Sequence, residues 1–310
     1  MSSSHAPSAF DAAPDGEAAA VPSGTGHFTT YDGTRLAYHS QGWGEPLICL
    51  PGGAMRASVY LGDLGGLAAN RRLVLLDLRG TGDSEVPAAG ATYRVDHQVA
   101  DVEALRVHLG LERMDVLAHS AGGNLAQLYA AAHPERLRAL VLVTPTAWAL
   151  GVPVTPELRL EAARLRAGRE PYDAAIAAYR TILDGGGGDA EWELAVPLFY
   201  GRWNERARAH AAANTDQQNE AAAHAYAAPE AFDPPATRAA LQEVTADVLV
   251  LAGEFDGNPR PEPAARIAAL LPHGVRDVQP GAGHFPWMDD APWFAARVER
   301  FLAGAAGARV

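Results

Sequence analysis

Ser120 ends an apolar run and begins a helix-forming one, in Met114-Asp115-Val116-Leu117-Ala118-His119-Ser120-Ala121-Gly122-Gly123. Ala118 and Gly122, two residues to either side, are small enough for the sharp strand-to-helix turn that presents a serine hydroxyl as a nucleophile. The pattern is Gly-x-Ser-x-Gly with alanine in the first glycine position. The helix that follows turns its N-terminal amides and positive dipole end toward an anion forming beside Ser120. A serine before a helix also serves as a plain N-cap, so the nucleophile reading needs partners. Gly253-Glu254-Phe255-Asp256-Gly257-Asn258-Pro259 follows the apolar run 248–252 and sets Asp256 on a loop at a strand's carboxyl end. Gly281-Ala282-Gly283-His284-Phe285 is a glycine-loosened loop that can present an imidazole. The order is therefore Ser120, acid, His284. Asp256 is preferred over Glu254, which lies two residues nearer the strand and reaches less far.

Other chemistries are excluded or unsupported. The sequence has no lysine, so all 25 Lys-plus-Arg residues are arginine. That removes a Schiff base, a P-loop lysine and a Ser-x-x-Lys acyl enzyme. The single cysteine, Cys49, sits in Leu47-Ile48-Cys49-Leu50 and reads as a small core residue with no disulfide partner in the chain. There is no His-x-x-x-His, cysteine cluster or EF-hand spacing, so neither a metal nor another cofactor is expected. Strand alternation points His119 away from Ser120, to pack or hydrogen-bond beneath the pocket. His133 is read as a surface residue at a helix end, and His273 as a solvated turn residue.

A formal charge of 25 − 37 = −12 repels phosphate backbones and anionic membranes. The expected partner is a small-molecule substrate, with no nucleic acid and no membrane, on a monomer or homodimer. No run approaches the roughly 18 apolar residues of a membrane span. The first arginine is Arg35, so the N-terminus lacks a signal peptide's positive region and a cytoplasmic location is expected.

The elements that must position these residues read as α/β. The chain has 310 residues, 48% hydrophobic and 20% charged, enough for one large core. Residues 1–26, rich in Ser, Ala, Pro and Gly, are expected to form a tail. Runs at 27–31 and 34–39 flank Asp32-Gly33, a hairpin signal. Short apolar runs at 46–50, 73–76, 114–118, 140–143 and 248–252 suit strands buried on both faces of a parallel sheet. Between them lie helical patterns at 95–109, 124–132, 262–271 and 292–302. The alternation stops after Thr144-Pro145. Helical patterns at 156–168, 171–183 and 203–227, interrupted by Gly185–Gly188, then read as an inserted cap over 146–236. The core is assigned to 27–145 and 237–310.

Taken together, Ser120, Asp256 and His284 resemble the triad of the α/β-hydrolase fold superfamily, over about residues 27–305. Leu50-Pro51-Gly52-Gly53-Ala54 matches the loop where relatives usually carry His-Gly. Leu76-Asp77-Leu78-Arg79-Gly80-Thr81-Gly82-Asp83-Ser84 is similar to the Arg-Gly-x-Gly-x-Ser loop of capped members of proline-iminopeptidase, epoxide-hydrolase and carbon–carbon-bond hydrolase type. The resemblance implies a mostly parallel central sheet flanked by helices, a helical cap and a Ser-His-Asp triad. His284 would take the Ser120 proton while Asp256 holds the imidazole's tautomer. The amides of Gly53 and Ala121 would donate to the oxyanion. The Arg79–Ser84 loop is read as structural, with Arg79 or Asp83 bracing its neighbours. A serine at the elbow argues against the aspartate nucleophile of epoxide and haloalkane hydrolases.

The cap would choose the substrate. Trp203 is expected to help line a pocket, and Glu205 or Glu220 would bind an amine if they face Ser120. With such an acid, the chain resembles an aminopeptidase of proline-iminopeptidase type; without one, it resembles a hydrolase of an ester, thioester, lactone or small amide acting through acyl-Ser120. A non-hydrolytic ligand-binding protein or a biosynthetic cyclase remains the alternative from another class.

Overall fold

The computed structural model describes residues 23–307. Eight strands form one sheet: β1 Gly24–Thr29, β2 Arg35–Gly42, β3 Pro46–Leu50, β4 Arg72–Leu76, β5 Met114–His119, β6 Leu137–Val143, β7 Asp247–Gly253 and β8 Gly274–Gln279. Their order is β1-β2-β4-β3-β5-β6-β7-β8. β2 runs antiparallel to both its neighbours, and the pairs from β4 to β8 are parallel.

The helices are α1 Val95–His108 and α2 Gly122–Ala132, then α3 Pro156–Arg164, α4 Tyr172–Leu183, α5 Asp189–Ala195, α6 Glu205–Ala212, α7 Asn214–Gln217, α8 Glu220–Tyr226 and α9 Pro234–Ala240 between β6 and β7. α10 Pro261–Ala269, α11 Pro286–Asp289 and α12 Ala291–Gly307 complete the chain.

Period-two alternation builds two cores from the same strands. Ile48, Val116, Leu140 and Val250 face Val102 of α1, Leu125 of α2 and Ile267 of α10. Their neighbours Leu47, Leu117, Val141 and Leu249 face Phe294, Val298 and Leu302 of α12. Because β3 lies between β4 and β5, the chain leaves β3 toward one sheet edge and returns at β5 to build the other. The crevice at such a reversal opens beyond the strands' carboxyl ends, where Pro51 follows β3 and Ser120 follows β5.

Three expectations need correction. Residues 1–22 of the expected tail lie outside the described residues, but Gly24, Thr25 and Gly26 belong to β1 and pair with Ser40, His39 and Tyr38. Gly26 marks close approach, not looseness: a Cβ on it would lie 2.2 Å from the Tyr38 ring. The pattern at 203–227 is three helices. Asn204 and Asn219 cap α6 and α8 by accepting from Ala207 N and Ala222 N, and Gln218 is extended, bridged to Arg56. The division at 236/237 falls inside α9, which packs on α2.

Candidate active site

Ser120 has a backbone φ of 52°, a left-handed conformation that a residue with a Cβ adopts only when its surroundings enforce it. Ser120 N donates to Val143 O at 3.0 Å, and Ser120 O accepts from Gly123 N at 2.9 Å and Thr146 N at 3.0 Å. Gly122 is required as well, since a Cβ there would stand 2.5 Å from Pro51 O. This tight turn puts the first turn of α2 behind the serine and its Oγ toward the loop after β8.

Ser120 Oγ lies 2.9 Å from His284 Nε2, and His284 Nδ1 lies 2.9 Å from Asp256 Oδ2. The carboxylate only accepts, so Nδ1 carries the proton and Nε2 accepts from the serine hydroxyl. Asp256 Oδ1 accepts from Asn258 N at 2.9 Å, which fixes the carboxylate's second oxygen. All three residues are buried, at 7%, 7% and 2% exposure for Ser120, His284 and Asp256; each hydrogen bond therefore works in a low-dielectric setting. Glu254 is exposed and accepts instead from Gly281 N at 2.7 Å. Among the described residues the amides of Gly53 and Ala121 find no protein acceptor. Gly52, next to Gly53, lies so close to the elbow that a Cβ on it would be 2.7 Å from Ser120 Cβ.

His119 forms a second layer beneath the triad. Its Nε2 is 2.9 Å from His284 O, a pure acceptor, so Nε2 carries the proton. Nδ1 then accepts from the Tyr60 hydroxyl at 2.6 Å, and that oxygen accepts from Gly52 N at 2.7 Å. Burial first, then His284 beside it, hold the His119 pKa well below its ordinary value, so the ring is neutral. One chain of hydrogen bonds thus ties the loop after β3 to the backbone of His284. Thr144 Oγ1 donates to the same carbonyl at 2.9 Å, and His284 N donates to Phe199 O at 2.8 Å.

Asp289 fastens this loop to the inserted helices. Its carboxylate accepts from Gly283 N at 2.8 Å and from Gly201 N and Arg202 N at 3.0 Å each. Sequence reasoning missed Tyr60 and Asp289. Tyr60 leaves no local signal, but an acid closing the run Phe285-Pro286-Trp287-Met288-Asp289 marks a carboxylate that must find buried donors.

The remaining residues fall outside this cluster. Trp203 packs on Tyr200 with ring centres 5.4 Å apart, and the Arg208 guanidinium lies 5.9 Å from its ring. Glu205 and Glu220 are exposed in the first turns of α6 and α8, where a carboxylate meets the helix dipole, and neither hydrogen-bonds to the cluster. Arg79, fully buried, grips Asp101 through Nε at 2.5 Å and Nη2 at 2.6 Å and also pairs with Asp32; Asp83 is exposed. Burial opposes the effect, yet the Arg79 and Thr34 hydrogen bonds bring the Asp32 pKa down to about 2. Cys49 is buried and burial pushes its thiol pKa up, leaving it inert. The half-buried His133 ring is tilted against Tyr129 with ring centres 5.0 Å apart, and His273 is exposed. Among the described residues no helix is long and apolar enough to cross a membrane.

Comparison with known proteins agrees with this architecture. A Bacillus subtilis (strain 168) protein bearing the provisional name 2-succinyl-6-hydroxy-2,4-cyclohexadiene-1-carboxylate synthase is 27% identical over 291 residues, 90% of this chain and 98% of its own. The solved proline iminopeptidase of Mycobacterium smegmatis superposes with a TM-score of 0.70 at 24% identity, covering 91% of this chain and 98% of that one. A thermophilic esterase from Thermogutta terrifontis gives a TM-score of 0.65, also at 24% identity and with the same coverage. The sequence profile described as alpha/beta hydrolase fold matches residues 45–291. A match over most of the chain, on a sheet with this strand order, makes this protein a member of the alpha/beta hydrolase fold family.

Proposed function

We propose that the protein hydrolyses an ester, thioester, lactone or small amide through an acyl-Ser120 intermediate. The observation that carries this reading is the continuous Ser120–His284–Asp256 chain, with 2.9 Å at each link. Ser120 Oγ attacks the substrate carbonyl as His284 Nε2 takes its proton, and Asp256 stabilises the imidazolium. The carbonyl oxygen becomes an anion facing the free amides of Gly53 and Ala121, with the N-terminus of α2 behind it. Collapse expels the leaving group, which receives the proton from His284 Nε2. Water then repeats the sequence on the acyl-enzyme, giving the acid and restoring Ser120.

The exposed Glu205 and Glu220 give no support to amine recognition, so the ester-type reading ranks above the aminopeptidase one. A second reading, a biosynthetic reaction without an acyl-enzyme, is favoured by the synthase name of the Bacillus relative. A fluorophosphonate probe separates reactive from unreactive serine, and the expected result is stoichiometric labelling that disappears in Ser120→Ala. Activated acyl esters separate the readings further: a burst of one equivalent of leaving group marks acylation, while labelling without a burst supports the reading without an acyl-enzyme. A folded wild-type protein that never labels overturns the acyl reading.

A further inference from the structure

Arg56 is a buried cation with no counter-charge among the described residues. It is 4% exposed, yet among the described residues no carboxylate comes within ion-pair reach of it. Its Nε donates to Gln217 Oε1 at 2.9 Å and its Nη2 to His210 O at 3.1 Å. The guanidinium lies 4.4 Å from the centre of the Tyr60 ring, and among the described residues Nη1 has no protein acceptor. Burial lowers the Arg56 pKa, as expected for a cation taken out of water. Other buried arginines are treated differently. Arg79 has Asp32 and Asp101, Arg71 has Asp115 and Glu299, and Arg106 has Glu103. Arg166, which also has no carboxylate ion-pair partner among the described residues, directs both Nη atoms at the carbonyls of Pro197, Leu198 and Tyr200.

A cavity of about 290 Å³ opens beside Arg56, walled by Arg56, Tyr60, Arg206, His210, Gln217 and Trp287. Its volume is that of roughly ten waters at about 30 Å³ each, or one small organic molecule. Arg206 supplies a second, exposed guanidinium. His210 adds no charge at neutral pH: burial, then the neighbouring Arg56, bring its pKa down to about 4. The acid on this wall, Asp63, is exposed and accepts from Gly65 N at 3.0 Å. Tyr60 separates the cavity from the catalytic cluster, its ring on the cavity wall and its hydroxyl on Gly52 and His119.

We propose that this cavity is a second ligand site and takes a small organic acid. The carboxylate is held by Arg56 and Arg206, since a guanidinium with a free N–H matches carboxylate geometry. The apolar body of the acid lies against Tyr60 and Trp287. The site does not depend on the acyl chemistry at Ser120.

The test is calorimetric titration of benzoate into the full-length Ser120→Ala protein at low salt. The expected result is one site, weakened at least about tenfold in Arg56→Gln and several-fold in Arg206→Gln. Ala213→Trp, which fills the cavity from the end of α6, abolishes it. Wild-type protein labelled at Ser120 by fluorophosphonate keeps its benzoate site, which distinguishes this cavity from the catalytic one. If Arg56→Gln fails to fold, the exposed Arg206 and the cavity-filling Ala213 substitutions carry the test. No binding at millimolar benzoate, affinity unchanged in the folded variants, or loss of binding on Ser120 labelling each overturns the proposal.

Discussion

The carboxyl edge of the sheet and the helical layer between β6 and β7 reach their side-chain positions by different routes. At the edge, backbone geometry leaves few choices: Ser120 sits at φ 52°, Gly122 has Pro51 O where its Cβ would be, and Asp256 is fixed by its own loop through Asn258 N. In the inserted layer only amphipathic spacing and caps are set locally, and each side chain's role depends on what the layer packs against. The proposed chemistry therefore lies where the backbone is most constrained, and the layer above is held by longer-range contacts.

Three experiments break or sharpen that contrast. The largest effect is expected at the edge: Asp256→Asn keeps the shape but favours the wrong His284 tautomer, lowering kcat for an activated ester by about 10⁴-fold. A drop of less than tenfold would move the acid elsewhere. An intermediate effect links the regions, since His119 lies under the edge and His210 in the layer. Both are held neutral when folded, whereas an unfolded histidine takes a proton near pH 6.5. The unfolded state thus binds more protons, and stability is full above pH 6.5 and falls on acidification. For His210, with its pKa at about 4, the loss is about 1.4 kcal/mol per pH unit down to that value. Urea unfolding from pH 7 to pH 4 should show the fall, with a shallower slope in His210→Gln; a slope unchanged by that substitution contradicts the neutral assignment. The smallest effect is expected in the layer, where Glu205→Gln and Glu220→Gln should each leave KM for an acyl ester or an aminoacyl anilide within about twofold. A larger rise for the anilide alone would restore an amine-binding role to that acid.

The same contrast explains what was legible in the sequence. Strands buried on both faces announce themselves as short apolar runs, and β3 to β7 lie within two or three residues of those runs. Ser120, Asp256 and His284 were readable because glycines and strand ends carry the information. The break in 203–227 was not, because Gln218 leaves helical geometry to pair with Arg56, a partner 162 residues away. Tyr60 was equally hidden: its meaning comes from Gly52 and His119 and from nothing adjacent in the chain. Gly26 misled, since composition alone cannot separate a flexible glycine from one that lies against an aromatic ring.

The bridge between Arg56 and Gln218 has a mechanical consequence. Ala57 N donates to Gln217 O and Asn219 N to Met55 O, so residues 55–57 and 217–219 form a short zipper between the loop after β3 and the layer above. On the opposite flank, Asp289 and Phe199 clamp the His284 loop to that same layer. Lifting the layer would pull on the loop that carries Gly53 and on the loop that carries His284 together. In the proposed acyl mechanism, the oxyanion donor and the base would therefore shift together if the layer moved.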